Sequence, residues 1–191
     1  MRLQTWVAGA LLLALQGCAG TPSAFDPGDS AALRSLPLFD AAGGPRFVVE
    51  LSCSGAPASC TTVEHAFSDW ADSRHLLLRD GAPDEPSGGH PLPDRRRALP
   101  YRLALTVVPV IVPSVDITHV DQSGGLTGSG YTPPRVGYHA TIRVFDAATG
   151  ALLKELPAAE QRTADFHADA NGYLRAEMRA LITSLDPAYR P

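Results

Sequence analysis

Histidines, cysteines and clustered carboxylates are the side chains through which this 191-residue chain could bind metal or move protons, and it carries six histidines and three cysteines. Their spacing restricts that chemistry. No HExxH occurs, and no two histidines stand four apart on a helical stretch, the arrangement that sets two zinc ligands on one face. Asp165, His167 and Asp169 alternate and would point to one side of an extended segment. A solvated helix entrance with capping carboxylates is the simpler reading of that set. His119, Asp121 and His139 would meet only if their strands pair, and a metal-dependent hydrolase built on His119 and His139 stands as one alternative function. His139 shares the more polar face of its strand with Thr141 and Arg143, which suits a histidine turned to water. His65 lies beside an apolar helix stripe, His75 at a strand start and His90 in a loop. Ser129 stands between Gly128 and Gly130 without a Gly-x-Ser-x-Gly elbow, and that glycine-rich stretch lacks the lysine and following helix of a phosphate cradle. No catalytic residue, metal set or cofactor is assigned, and an enzyme is not the expectation.

Cys53 and Cys60 frame Cys-Ser-Gly-Ala-Pro-Ala-Ser-Cys. Six intervening residues are too many for a CxxC redox motif, and no Cys or His partner follows at zinc-finger spacing. A disulfide is the expectation, and closing so small a loop contributes roughly 2–3 kcal/mol on the chain-entropy estimate. It also implies an oxidising compartment.

Cys18 has a different setting. Arg2 is followed by an uninterrupted apolar run, Trp6 to Leu15, and then by Gln16, Gly17 and Cys18. The run is too short to cross a bilayer as a helix, which takes roughly 20 residues, and it has the form of a signal-peptide core. Leu15-Gln16-Gly17-Cys18 resembles the lipobox of bacterial lipoproteins. That resemblance implies cleavage before Cys18, a diacylglycerol on its thiol, and a multi-chain anchor that is effectively permanent. Ala19, where retention in the inner membrane usually shows Asp, favours an outer membrane facing the periplasm. The expected organisation is a signal peptide over 1–17, a Pro/Gly/Ser-rich tether over 18–29 and one α+β domain over 30–191.

The formal charge is −4, with no broad basic face to suggest nucleic acid. Arg95-Arg96-Arg97 sits in the Pro/Gly-rich stretch from Gly81 to Pro100, a long surface loop. Gly and Pro number 17 each, which signals many loops but not disorder.

The elements that must position these residues follow from periodicity. A helical turn is expected over Ser30–Leu36 and a strand over Arg46–Ser52. Thr61 and Glu64 have capping-box spacing ahead of Val63, Phe67 and Trp70, which share one helix face to about Asp72. A short buried strand follows over His75–Arg79. Tyr101–Val112 is the most β-prone stretch, where Pro109 and Pro113 demand an edge or bulge. Asp116–Val120 extends it, and Asp121–Pro134 reads as a loop. Val136–Phe145 is a strand, Asp146–Gly150 a turn, Ala151–Leu156 and Gln161–Phe166 two further strands. Asp169 caps a last helix striped by Leu174, Met178, Leu181 and Leu185, with Arg175, Glu177 and Arg179 on the wet side.

The pattern predicts an α+β fold: a mostly antiparallel sheet with two helices packed on one face. The hairpin around Asp146–Gly150 followed by the helix over Ala170–Leu185, about a quarter of the chain, resembles small envelope lipoproteins that assist transport or secretion assemblies. The resemblance implies a non-enzymatic accessory or assembly component of the cell envelope, held by its lipid and engaging an envelope protein partner. No residue role comes with it. A second alternative is a carrier of lipid or a small apolar ligand, lined by Phe67, Trp70, Tyr101 and Val107–Val112.

Overall fold

The structure is a computed structural model that describes residues 24–81, 99–120, 123–165 and 169–190. The lipobox, His90, Arg95–Arg97, Asp121 and His167 lie outside those residues. In chain order the elements are α1 (Pro27–Ser35), β1 (Phe47–Cys53), α2 (Pro57–Arg74), β2 (Leu77–Asp80), β3 (Tyr101–Val112), β4 (Val115–Val120), β5 (Leu126–Thr132), β6 (Arg135–Asp146), β7 (Leu152–Thr163) and α3 (Ala170–Leu185). Among the described residues no helix is long and apolar enough to cross a membrane.

The α+β class holds, but the sheet is mixed, and the described residues form three helices. Strand order is β2-β1-β3-β6-β7, with β1 parallel to both β2 and β3, and β3, β6 and β7 antiparallel. The reason lies in α2. Its 18 residues carry the chain back about 27 Å, so β2 re-enters in the direction of β1, as a crossover helix requires. The third helix, α1, starts with Pro27 in its first turn, the position where a missing N–H costs nothing. It begins inside the segment expected to be a tether, and Phe25 is already buried in the core. Residues 25–29 of the segment expected to be a tether therefore pack as part of the domain.

Helix α2 begins at Pro57, four residues before the expected Thr61, so Thr61 and Glu64 form no capping box. Its apolar face is as expected: Val63, Ala66, Phe67 and Trp70 are all buried. His75 closes the helix in the left-handed conformation (φ 55°). Leu77 is 48% exposed, so β2 is a short edge strand rather than a buried one. Pro109 sits where β3 has outrun β1, whose pairing stops at Cys53↔Val107, so no ladder partner from β1 is required of it. The stretch 121–134 contains β5, whose glycines concealed it; β5 pairs antiparallel with β4. β7 is one 12-residue edge strand through Pro157, not two.

One sheet face carries Phe47, Val49 and Leu51, then Leu103, Leu105 and Val107, then Tyr138, Ala140, Ile142 and Val144, all in the same cluster as the stripes of α2 and α3. On the opposite face the Arg102 guanidinium lies 4.6 Å from the Phe145 ring centre and reaches Glu50 at 3.3 Å.

Asp186 ties these layers together. It is 1% exposed, directly after α3. Its Oδ2 accepts from Trp70 Nε1 at 3.1 Å and from Arg74 Nε at 2.7 Å, while Oδ1 accepts from the Ala188 amide at 3.1 Å. Arg74 also donates to the Gly43 carbonyl at 2.7 Å, drawing in the turn between Phe39 and Pro45. Removing one partner of a buried charge pair typically costs about 3–5 kcal/mol, and Arg74 keeps some water. Asp186→Ala should therefore lose about 3 kcal/mol in urea unfolding, with Asp186→Asn losing less because it still accepts from Trp70. Wild-type stability in Asp186→Ala would show that the carboxylate is not a latch.

Candidate functional site

The sequence-derived candidates separate into a covalent link, scattered polar groups and core. Cys53 and Cys60 are joined as a disulfide with Cα atoms 5.6 Å apart. The bond ties the last residue of β1 to the first turn of α2 and so fixes where the crossover helix starts. Cys18 lies outside the described residues.

The histidines do not assemble. His65, His75 and His139 are exposed. His119 lies in β4, which pairs with β5, while His139 lies in β6 opposite Val108 and Ala159. The strand pairing that a His119–His139 centre requires is not made. Asp165 accepts from the Tyr173 hydroxyl at 3.1 Å, and Asp169 accepts from the amides of Asn171 and Gly172, capping α3. Among the described residues no three His, Cys, Asp or Glu side chains are placed to hold a metal ion. The apolar-ligand pocket expected around Phe67 and Trp70 is filled: both rings are fully buried, 6.0 Å apart between centres, and Trp70 packs on Phe47.

Glu177 was not anticipated. It was expected on the wet face of α3 but is buried, with Arg162 Nε of β7 at 2.9 Å. Burial raises its carboxyl above the ordinary value; Arg162 works against this and Glu160 adds to it. Burial, then Glu177 and Glu160, also push the Tyr138 hydroxyl up, so the phenol stays neutral inside the sheet. The signal for Glu177 was its position one residue before Met178, at the margin of the apolar stripe.

The feature that stands apart from the core is an arm. β3 and β6 pair as far as Val112↔Arg135. Pro113-Ser114 and Pro133-Pro134 then interrupt both strands, and β4 and β5 continue as a separate two-stranded ribbon from Val115↔Thr132. Proline cannot donate a ladder hydrogen bond, and here prolines follow one strand and precede the other where the pairing ends. Among the described residues the extensive contacts of β4 are with β5 alone. Val115 and Ile117 alternate onto one face of the ribbon and are 46% and 45% exposed; Tyr131, opposite Asp116, is 50% exposed, and Ile111 at the base 41%. Among the described residues no third strand pairs with either edge of the ribbon, and a two-stranded ribbon alone is marginal in water.

The arm leaves from the opposite end of the domain to that where the chain enters. The registers place Phe47, Tyr101 and Asp146 at one end of the sheet and Val112, Arg135 and Thr163 at the other. Trp70 packs on Phe47 and bonds Asp186, so the C-terminal ends of α2 and α3 lie at the Phe47 end. There the Ala24 amide donates to Ser184 Oγ at 3.1 Å.

No family model matches the chain, and no curated protein matches it. Among solved structures it is similar to the PelC dodecamer from Paraburkholderia phytofirmans (16% identity, 74% of this chain and 87% of that one, TM-score 0.43). It is also similar to a neuraminyllactose-binding hemagglutinin homolog from Helicobacter pylori (7% identity, 75% and 82%, TM-score 0.47). A minor lipoprotein from Acinetobacter baumannii is a third such structure (12% identity, 72% and 89%, TM-score 0.30). At these identities no residue role passes to this chain.

Two outcomes are expected. Cys53→Ser/Cys60→Ser should unfold about 2–3 kcal/mol more easily in urea than the oxidised wild type; equal stability would make the bond incidental. A carboxyl whose pKa is raised on folding contributes stability that is complete below its unfolded pKa and is lost as pH rises through the folded one. The stability of Glu177→Gln relative to wild type should therefore increase from about pH 4 to about pH 7. A flat or falling difference in thermal midpoint would contradict the direction of the shift.

Proposed function

We propose that this protein is a non-enzymatic accessory lipoprotein of the cell envelope, anchored through Cys18 in the outer membrane on its periplasmic side, and that the β4–β5 arm engages an envelope protein partner. The arm is the observation that supports the reading most. A ribbon that exposes Val115, Ile117 and Tyr131, pairs with no third strand among the described residues and departs from the end opposite Ala24 suits a domain that reaches outward from a lipid anchor. Six residues of β4 extend it about 20 Å. Open backbone donors and acceptors favour a partner that adds a strand, while the apolar side chains supply contact area. The lipobox resemblance and the disulfide suit an exported chain.

A photo-crosslinking residue placed at Ile117 of the full, membrane-held chain tests the reading against the same residue at Glu64, exposed on α2. Ile117 should give a discrete adduct that Val115→Asp abolishes, and Glu64 should not give it. The same adducts from both positions, or none from Ile117, would contradict the proposal.

A further inference from the structure

A groove of about 850 Å³ opens at the Ala24 end of the domain, between α1 with the segment after it and the C-terminal part of α3. Its size falls in the range of small-molecule sites, roughly 300–1,000 Å³. Leu33, Leu36, Leu38, Phe39, Ala180 and Leu185 supply apolar wall, and the charged lining residues are Arg34 and Arg190. Among the described residues no carboxylate lines it. Arg190 uses one terminal nitrogen on the carbonyls of Pro187 and Tyr189, and neither arginine is ion-paired among the described residues.

The polarity of the lining selects the ligand. Three hydroxyls reach the groove, but each is turned to backbone: Ser30 to the Phe25 carbonyl, Thr183 to that of Arg179 and Ser184 to that of Ala180, the last also accepting from Ala24. Unspent donor capacity therefore remains on the two guanidinium groups at the exposed margin. Two helices end here, with roughly half a negative charge each, and two full positive charges outweigh them. A guanidinium matches a carboxylate's two oxygens in a fork. An occupant with one anionic head and an otherwise apolar body matches a lining of leucine side chains and two guanidinium groups.

We propose that the groove between α1 and α3 binds a free fatty acid, its chain on the leucine wall and its carboxylate on Arg34 and Arg190. The site is separate from the arm and does not depend on it.

The described core lies entirely between Phe25 and Tyr189, so a chain of residues 19–191 prepared with its disulfide intact keeps every described core residue for titration. Dodecanoate, below its micellar concentration, should bind saturably at one per chain by calorimetry, and dodecanol at least tenfold more weakly. Arg34→Ala/Arg190→Ala should weaken dodecanoate at least tenfold without changing the thermal midpoint of the free protein. Ala180→Phe should block both ligands by filling the groove; if that variant does not fold, the arginine pair carries the test. Absence of saturation by dodecanoate, equal affinity for dodecanol, undiminished binding in the arginine variant, or binding of a lysophosphatidate in preference to dodecanoate would each overturn the proposal.

Discussion

The contact of Asp186 with Trp70 and Arg74 holds this domain closed. A carboxylate withdrawn from water is costly unless its lone pairs are occupied, and here an indole N–H, a guanidinium and a backbone amide occupy them. The side-chain donors come from α2 and the acceptor from the residue after α3, so one group sets the spacing of the two helices. Arg74 extends the link to Gly43 and lies 5.9 Å from the Phe39 ring, so the segment between α1 and β1 is held by the same node. Phe39, Phe47, Trp70 and Phe67 then pack in succession beneath it. The β1–α2–β2 crossover is fixed at its other end by the Cys53–Cys60 bond. Helix α2 is thus fastened at both ends, covalently at its start and through a buried ion pair at its finish.

That fastening gives the molecule two ends of unlike character. At the Phe47 end, helix termini, Asp186 and the groove wall are tightly interconnected. At the other end the sheet narrows to β3, β6 and β7, prolines follow β3 and precede β6, and the chain continues as a two-stranded ribbon. Among the described residues the extensive contacts of β4 are with β5 alone, and Val115 and Ile117 leave apolar surface exposed on the ribbon. The proposed division of labour follows from this asymmetry: anchorage and ligand at one end, protein contact at the other.

Much of the core was legible in the sequence because periodicity reports burial directly. Leu174, Met178, Leu181 and Leu185 repeat at helical spacing, and Tyr138, Ala140, Ile142 and Val144 at strand spacing; all are buried. The Asp146 turn was legible because its side chain accepts from the amides of Ala148 and Thr149, with Gly150 at φ 72°. Strand direction was not legible, since it depends on what α2 does to the path of the chain rather than on β1 or β2. β5 was hidden because Gly128, Ser129 and Gly130 have weak strand preference and are held by their register with β4. The latch was invisible for a related reason. Asp186-Pro187 reads locally as a helix stop, and only the fold brings Trp70 and Arg74, 116 and 112 residues earlier, onto its carboxylate. Cys18 remains known through its sequence setting alone.

Native-state hydrogen exchange on the unpartnered domain addresses most directly the picture of a latched core bearing an arm that awaits a partner. Amides of β1, of β3 up to Val107, of β6 from Tyr138 to Val144 and of the middle turns of α2 and α3 should open together at the free energy of global unfolding. Amides of β4 and β5 should exchange at least about a hundredfold faster, as a two-stranded ribbon without a core requires. Protection of β4 and β5 equal to that of β3 and β6 in the monomer would contradict the account, because the arm would then be an integral part of the folded unit.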